Sequence, residues 1–171
     1  IMCWTYIYQY SEGIGINAEK AANFQFIAFI LFFIGRGTGT FLLKYIRSND
    51  LMLIFAIMAS IFSFGTIFNQ GYFGLYCLIS ISFFMSIMFP TIYGLSLKGL
   101  NEEECKIGAA GLVMAIVGGA LMPALQGMII DIGGVAVNDI KILGVSEVNF
   151  SFTLPLLCFM YIIFYSKTIV K

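Results

Sequence analysis

Histidine is absent from the 171 residues. That removes the commonest metal ligand and the usual general base near neutral pH. Charge is scarce too: Asp, Glu, Lys and Arg make up 11% of the chain, against about 25% in a soluble domain. The nine basic and nine acidic side chains cancel, so no basic field invites nucleic acid. No Asp or Glu lies in the middle of an apolar run; Asp50 and Asp131 stand at run ends. A proton relay inside a membrane needs a buried carboxylate, and this stretch of chain supplies none. The serines have no partner base and no carboxylates converge, which argues against an enzyme. The four cysteines, Cys3, Cys77, Cys105 and Cys158, have neither metal nor disulfide spacing. Three of them lie within apolar runs and read as small buried hydrophobes. No catalytic residue, metal or cofactor is expected.

What remains is apolar. Hydrophobic residues account for 60% of the chain, and the mean hydropathy is +0.97. Residues 1–10 are too short to span a bilayer, since a helix needs about 20 residues to cross the hydrocarbon. They lack the basic start and small-residue cleavage site of a signal peptide. They read as the tail of a helix whose beginning is missing, so the chain is expected to be a fragment. Five complete spans follow at about 21–43, 51–68, 72–97, 107–130 and 148–166. The connections are a polar loop at 11–20, a basic loop after 43 and a turn at Asn69-Gln70-Gly71. A loop with Glu102-Glu103-Glu104 and a longer mixed loop at 131–147 complete them. Barrel strands are about 10 residues long and alternate apolar with polar. These runs are longer and apolar all round, so helices are the remaining way to satisfy the backbone in lipid. The fold class is all-α integral membrane, multi-pass, in one transmembrane domain.

Basic residues orient the spans. Lys44, Arg47, Lys98, Lys106, Lys167 and Lys171 fall at one set of ends, and only Lys20 and Lys141 at the other. Basic loops stay in the cytoplasm, which predicts a cytoplasmic C-terminus.

Arg36 is the costliest side chain, because a cation within a span costs several kcal/mol unless it snorkels or is paired. It stands about 12 Å from the basic end at 1.5 Å per residue. Gly35 and Gly39 flank it on one helix face and permit close approach of a neighbour. The functional reading is a gate or interhelix clamp; the alternative is simple snorkelling. Pro90 bends the third full span, and broken helices often line a substrate path. Gly118, Gly119 and Pro123 give the fourth span the same character, with Gly108 and Gly111 suggesting close packing. The polar groups within spans are few. Tyr6, Gln9, Asn23, Gln25, Tyr93 and Gln126 are the candidate substrate-binding set, each of which can instead be helix–helix glue. Together they suit an uncharged polyol better than an ion.

The blocks Cys3-Trp4-Thr5-Tyr6, Ala21-Ala22-Asn23-Phe24 and Phe32-Phe33-Ile34-Gly35-Arg36-Gly37-Thr38-Gly39-Thr40 carry a resemblance. So do Phe84-Met85-Ser86-Ile87, Pro90-Thr91-Ile92 and Gly118-Gly119. In this order they resemble the C-terminal half of the fucose–proton symporter and glucose–galactose transporter family, part of the major facilitator superfamily. The resemblance implies the six-helix C-terminal half of a twelve-helix transporter, with the sugar held between two halves. It implies secondary active import of fucose, glucose or galactose, coupled to protons or sodium, across a bacterial inner (plasma) membrane. The partners implied are the sugar, the coupling ion, the lipid bilayer and the missing N-terminal half. The Gly35-Arg36-x-x-Gly39 block looks like the C-half copy of the superfamily's cytoplasmic gating motif. The family's coupling carboxylates belong to the N-terminal half, in keeping with their absence here. Where the fucose symporter carries an arginine in the partial helix, this sequence has Gln9, a departure that bears on the substrate. The reading from a different class is a non-transporting membrane scaffold or assembly partner.

Overall fold

The computed structural model describes residues 2–69, 71–131, 141–142 and 145–169. Gln70 of the expected turn, most of the 131–147 loop, and the Lys141 and Lys171 side chains of the charge tally lie outside the described residues. The regular structure of the described chain is helical, apart from a short antiparallel pairing of β1 (Lys141–Ile142) with β2 (Val145–Ser146).

The first helix is broken: α1 (Met2–Thr5) and α2 (Ile7–Gly13) meet at Tyr6. The polar loop expected at 11–20 shrinks to residues 14–17, because α2 runs through Gly13 and α3 spans Ala18–Leu42. Asn17 is the extended residue before α3, and Glu19 lies in its first turn. A carboxylate there complements the positive end of the helix dipole, so charged residues join a helix that hydropathy alone starts later. α4 (Ser48–Phe68) is uninterrupted. The span expected as one bent helix over 72–97 is two, α5 (Tyr72–Met85) and α6 (Met88–Ser96). Pro90 sits in the first turn of α6, where a missing N–H leaves no bond unmade. The break therefore falls before the proline rather than at it. α7 (Glu102–Met114) begins five residues earlier than the apolar run, with the acidic triplet in its first turn. Glu104 Oε2 accepts the Asn101 backbone N–H at 3.1 Å, one arm of a capping box. A 3₁₀ turn at Ala115–Val117 joins α7 to α8 (Gly118–Ile130). The last span is α9 (Glu147–Ser151) and α10 (Thr153–Ile169), interrupted at Phe152.

Five stretches among the described residues are long and apolar enough to cross a membrane: Ala18–Leu42, Ser48–Phe68, Tyr72–Ser96, Glu102–Ile130 and Glu147–Thr168.

α4 is the hub and packs against both α5 and α10. Its inner face is a ladder of Met52, Ala56, Ala59, Ser63 and Thr66, all fully buried. Small side chains at that spacing let helices approach closely where lipid gives no hydrophobic push between them. Phe55, Phe62, Phe83 and Phe84 fill the α4–α5 seam, with Phe55 edge-on to Phe84 at 5.6 Å and Phe62 stacked on it at 5.5 Å. Polar ties close both ends. Asn49 Nδ2 donates to Ser166 O at 3.0 Å, and at the opposite end Asn149 Nδ2 donates to Thr66 O at 2.8 Å.

α3 lies against α5 along its glycines. A Cβ at position 35 would stand 2.5 Å from Phe83 O and 2.8 Å from Ser86 Oγ. One at 39 would meet Ile87 Cδ1 at 2.5 Å. At Gly37, Gly111 and Gly118 a Cβ would meet nothing within 4 Å. The close packing expected at 111 and 118 is therefore not made among the described residues. Gly108 does approach Leu97, at 3.0 Å for an added Cβ.

Backbone cannot yield as a side-chain tip can. Gly35→Val should cost about 1–3 kcal/mol through overpacking, Gly39→Ala less, because Ile87 can turn its terminal methyl away, and Gly37→Ala almost nothing. Thermal unfolding in detergent checks the order; equal losses at 35 and 37 would contradict the packing described.

Candidate functional site

Two regions hold the candidate residues. The first is the joint where α1, α8 and α9 meet. The Tyr6 side chain is buried there at the α1–α2 break, and its hydroxyl donates to Pro123 O at 2.6 Å. Gly127 makes room for it: a Cβ at 127 would lie 2.7 Å from the Tyr6 hydroxyl. Three residues after Pro123, Gln126 is fully buried and donates from Nε2 to Ser151 Oγ at 3.1 Å. Ser151 passes its own proton to Val148 O at 2.7 Å. That leaves Gln126 Oε1 buried with no hydrogen-bond partner among the described residues, and Gln9 Oε1 on α2 is in the same state. An unmatched buried acceptor costs about 1–3 kcal/mol. Gln9 on α2 and Gln126 on α8 each carry one such acceptor.

The structure does not bring every candidate here. Asn23 and Gln25 are on α3, exposed and half-buried respectively. They are two residues apart, so they point to opposite sides of the helix, and one cavity cannot take both. Tyr93 is on α6 beside Phe89, ring centroids 6.3 Å apart.

The second region is a cavity of about 420 Å³ at the basic end of the bundle. Arg36 and Thr40 of α3, Ser48 of α4, Pro90 and Thr91 of α6 and Lys98 line it. The gating candidates Arg36 and Pro90 thus share one space, with Gly35 and Gly39 on the packed face of the same helix. Gly118 and Gly119 belong to α8, at the 3₁₀ junction.

Several groups escaped sequence reasoning. Trp4 stands edge-on to Phe29 and Phe32 at 5.1 and 4.7 Å and donates from Nε1 to Ser82 Oγ at 3.0 Å. Glu147, at the end of the expected 131–147 loop, is fully buried in the first turn of α9, so the chain holds one buried carboxylate where none was expected. Thr91, Ser48 and Lys98 carry no spacing that marks them. Only the N-x-x-E capping pattern at Asn101 was available to move the start of α7.

Comparison with known proteins follows the same outline. No family model matches the chain. An L-fucose-proton symporter of Haemophilus influenzae is 52% identical over 165 residues, 96% of this chain and 37% of the relative. The L-fucose-proton symporter of Escherichia coli K12 is 31% identical, covering 96% of this chain and 35% of the relative. A glucose/galactose transporter of Brucella abortus is 33% identical over 77% of this chain and 29% of the relative. The crystal structure of the major facilitator transporter FucP in the outward conformation superposes with a TM-score of 0.86 at 30% identity, over 98% of this chain and 38% of that one. The chain has the fold of the C-terminal half of a major facilitator transporter. It spans just over a third of the length of the curated relatives it matches. In that fold α1–α2 take the place of the first helix and α9–α10 the sixth.

Tyr6→Phe keeps the ring and deletes the bond to Pro123 O. A net loss of about 1 kcal/mol is expected, read as a lowered unfolding midpoint in detergent. An unchanged midpoint would mean that the bond carries no net stability.

Proposed function

We propose that this chain is the C-terminal half of a secondary active sugar transporter, working with a second six-helix half across a shared midplane cavity. The observation that carries the reading is the likeness, over nearly the whole chain, to a fucose–proton symporter at 52% identity. Three features support it. The amide oxygens of Gln9 and Gln126 have no donor among the described residues, and sugar hydroxyls are donors. Tyr6 and Trp4 offer rings of the kind that lie against the C–H faces of a sugar. α3 and the Glu102–Ile130 span are also nearly unburied: an 18-residue apolar stretch of the latter has no buried residue, against 56% for Tyr72–Ser96. The exposed α3 and Glu102–Ile130 faces are where the second half would seat.

In this reading Tyr6, Gln9 and Gln126 bind the sugar, with Tyr93 and no more than one of Asn23 and Gln25 as more distant contributors. Gly35, Arg36, Gly39 and Pro90 form the gate, and Gly118 and Gly119 permit movement of α8. The carboxylates that couple uptake to protons, or to sodium, are supplied by the other half. The protein lies in the bacterial inner membrane with the basic end and the C-terminus in the cytoplasm, as the basic-residue count favours. No observation favours a non-transporting scaffold.

Uptake of radiolabelled fucose, glucose and galactose into proteoliposomes tests this. The chain is assayed alone and joined to a six-helix N-terminal half, under imposed proton and sodium gradients. Gradient-driven uptake by the joined form only is expected. Gln126→Leu and Gln9→Leu should each weaken apparent sugar affinity about tenfold, the cost of one unmade hydrogen bond. Absence of sugar uptake by the joined form under either gradient would overturn the reading.

A further inference from the structure

The cavity at the basic end has a chemistry that sugar binding does not use. Two cations, Arg36 and Lys98, line it, and no carboxylate does. Both are exposed, and neither forms a salt bridge among the described residues. Thr91, only 6% exposed, lines the same space, and its buried Oγ1 has no hydrogen-bond partner among the described residues. Ser48, also in the lining, is the first residue of α4, a helix whose N-terminus has no side-chain cap. The free N–H groups and positive dipole end of such a helix favour an anion. Asp50 stands in the same first turn, exposed and outside the lining.

We infer that this cavity binds a phosphate-type anion, clamped between Arg36 of α3, the N-terminus of α4, and Thr91 and Lys98 of the α6 arm. Arginine offers a planar fork for two phosphate oxygens, lysine a compact point charge, and the hydroxyls of Thr91 and Ser48 further donors. About 420 Å³ is ample for a phosphate with a glycerol attached. The anion bridges α3 to α6 at the interruption that separates α6 from α5, and so fixes the angle of the α6 arm. A lipid headgroup and free inorganic phosphate share this chemistry. The inference is independent of the proposed sugar-binding residues, since none of Tyr6, Gln9 or Gln126 takes part, although Arg36 and Pro90 of the proposed gate line the same cavity.

The test uses the longest protein that contains this chain, in nanodiscs of phosphatidylcholine, whose phosphate brings its own cation, or of phosphatidylcholine with phosphatidylglycerol. Native mass spectrometry reads retained phosphatidylglycerol. Thermal shift with millimolar inorganic phosphate, against chloride at matched ionic strength, reads the free anion. Retention of phosphatidylglycerol alone assigns the site to the lipid, and stabilisation by inorganic phosphate in phosphatidylcholine assigns it to the soluble ion. In either case the Arg36→Gln, Lys98→Gln double variant should bind at least about tenfold more weakly, two cations near an anionic group being lost. Thr91→Val, which keeps both charges, should lose less, and Arg36→Lys should recover part of the loss. Circular dichroism and size exclusion confirm that each variant is folded. Binding of neither probe, or a double variant in folded form that binds as the parent does, overturns the inference.

Discussion

Every backbone N–H and C=O within a bilayer must find its partner inside the protein, because lipid offers none. That constraint makes each apolar run of this chain a helix. It also makes each interruption costly, and only α3 and α4 run whole. Elsewhere the chain breaks at Tyr6, at Ser86-Ile87, at Ala115–Val117 and at Phe152. Polar side chains attend three of these. The Ser86 hydroxyl donates to Phe83 O at 2.7 Å, and Ser63 reaches Phe152 O at 3.4 Å. At the first break Tyr6 spends its hydroxyl on Pro123 O. The fourth tightens into a 3₁₀ turn that bonds within itself.

The breaks coincide with the candidate functional regions. Tyr6 opens the joint that contains Gln126, and the Ser86-Ile87 break hinges the α6 arm whose Thr91 faces the basic cavity. An unbroken helix transmits movement as a rod, whereas a broken one can turn one half against the other. Whole and broken helices thus divide the work. α4 carries the small-residue ladder on which the others pack, the broken helices carry Tyr6, Gln9, Gln126 and Thr91, and unbroken α3 carries Arg36.

How much was legible follows from what each signal depends on. Helix existence depends on apolar run length, which survives any detail of packing. Helix ends depend on caps, and Glu102 starts α7 because Asn101 and Glu104 bond across the first turn. Hydropathy counts those residues as loop. The close approach at Gly35 and Gly39 was readable because spacing of four places both on one face. Gly118 shows the limit of that logic: a small residue permits contact but does not supply the neighbour. Asn23 and Gln25 were chosen for depth alone, and depth does not say which side of a helix a residue faces. The Gln9 and Gln126 oxygens that lack partners among the described residues, and the placing of Arg36 and Lys98 on one cavity, depend on distant elements, which no local pattern encodes.

If the exposed faces of α3 and the Glu102–Ile130 span meet a second half along the sugar path, as proposed, access to them changes with the sugar, whereas the exposed face of α10 meets lipid. Single cysteines at Asn23, Leu121 and Leu157, in an otherwise cysteine-free full transporter, measure this by rates of labelling with a membrane-impermeant maleimide. Fucose, or whichever sugar is carried, should change the rates at 23 and 121 and leave 157 unlabelled throughout. Equal rates with and without sugar at 23 and 121, or ready labelling at 157, would contradict the account.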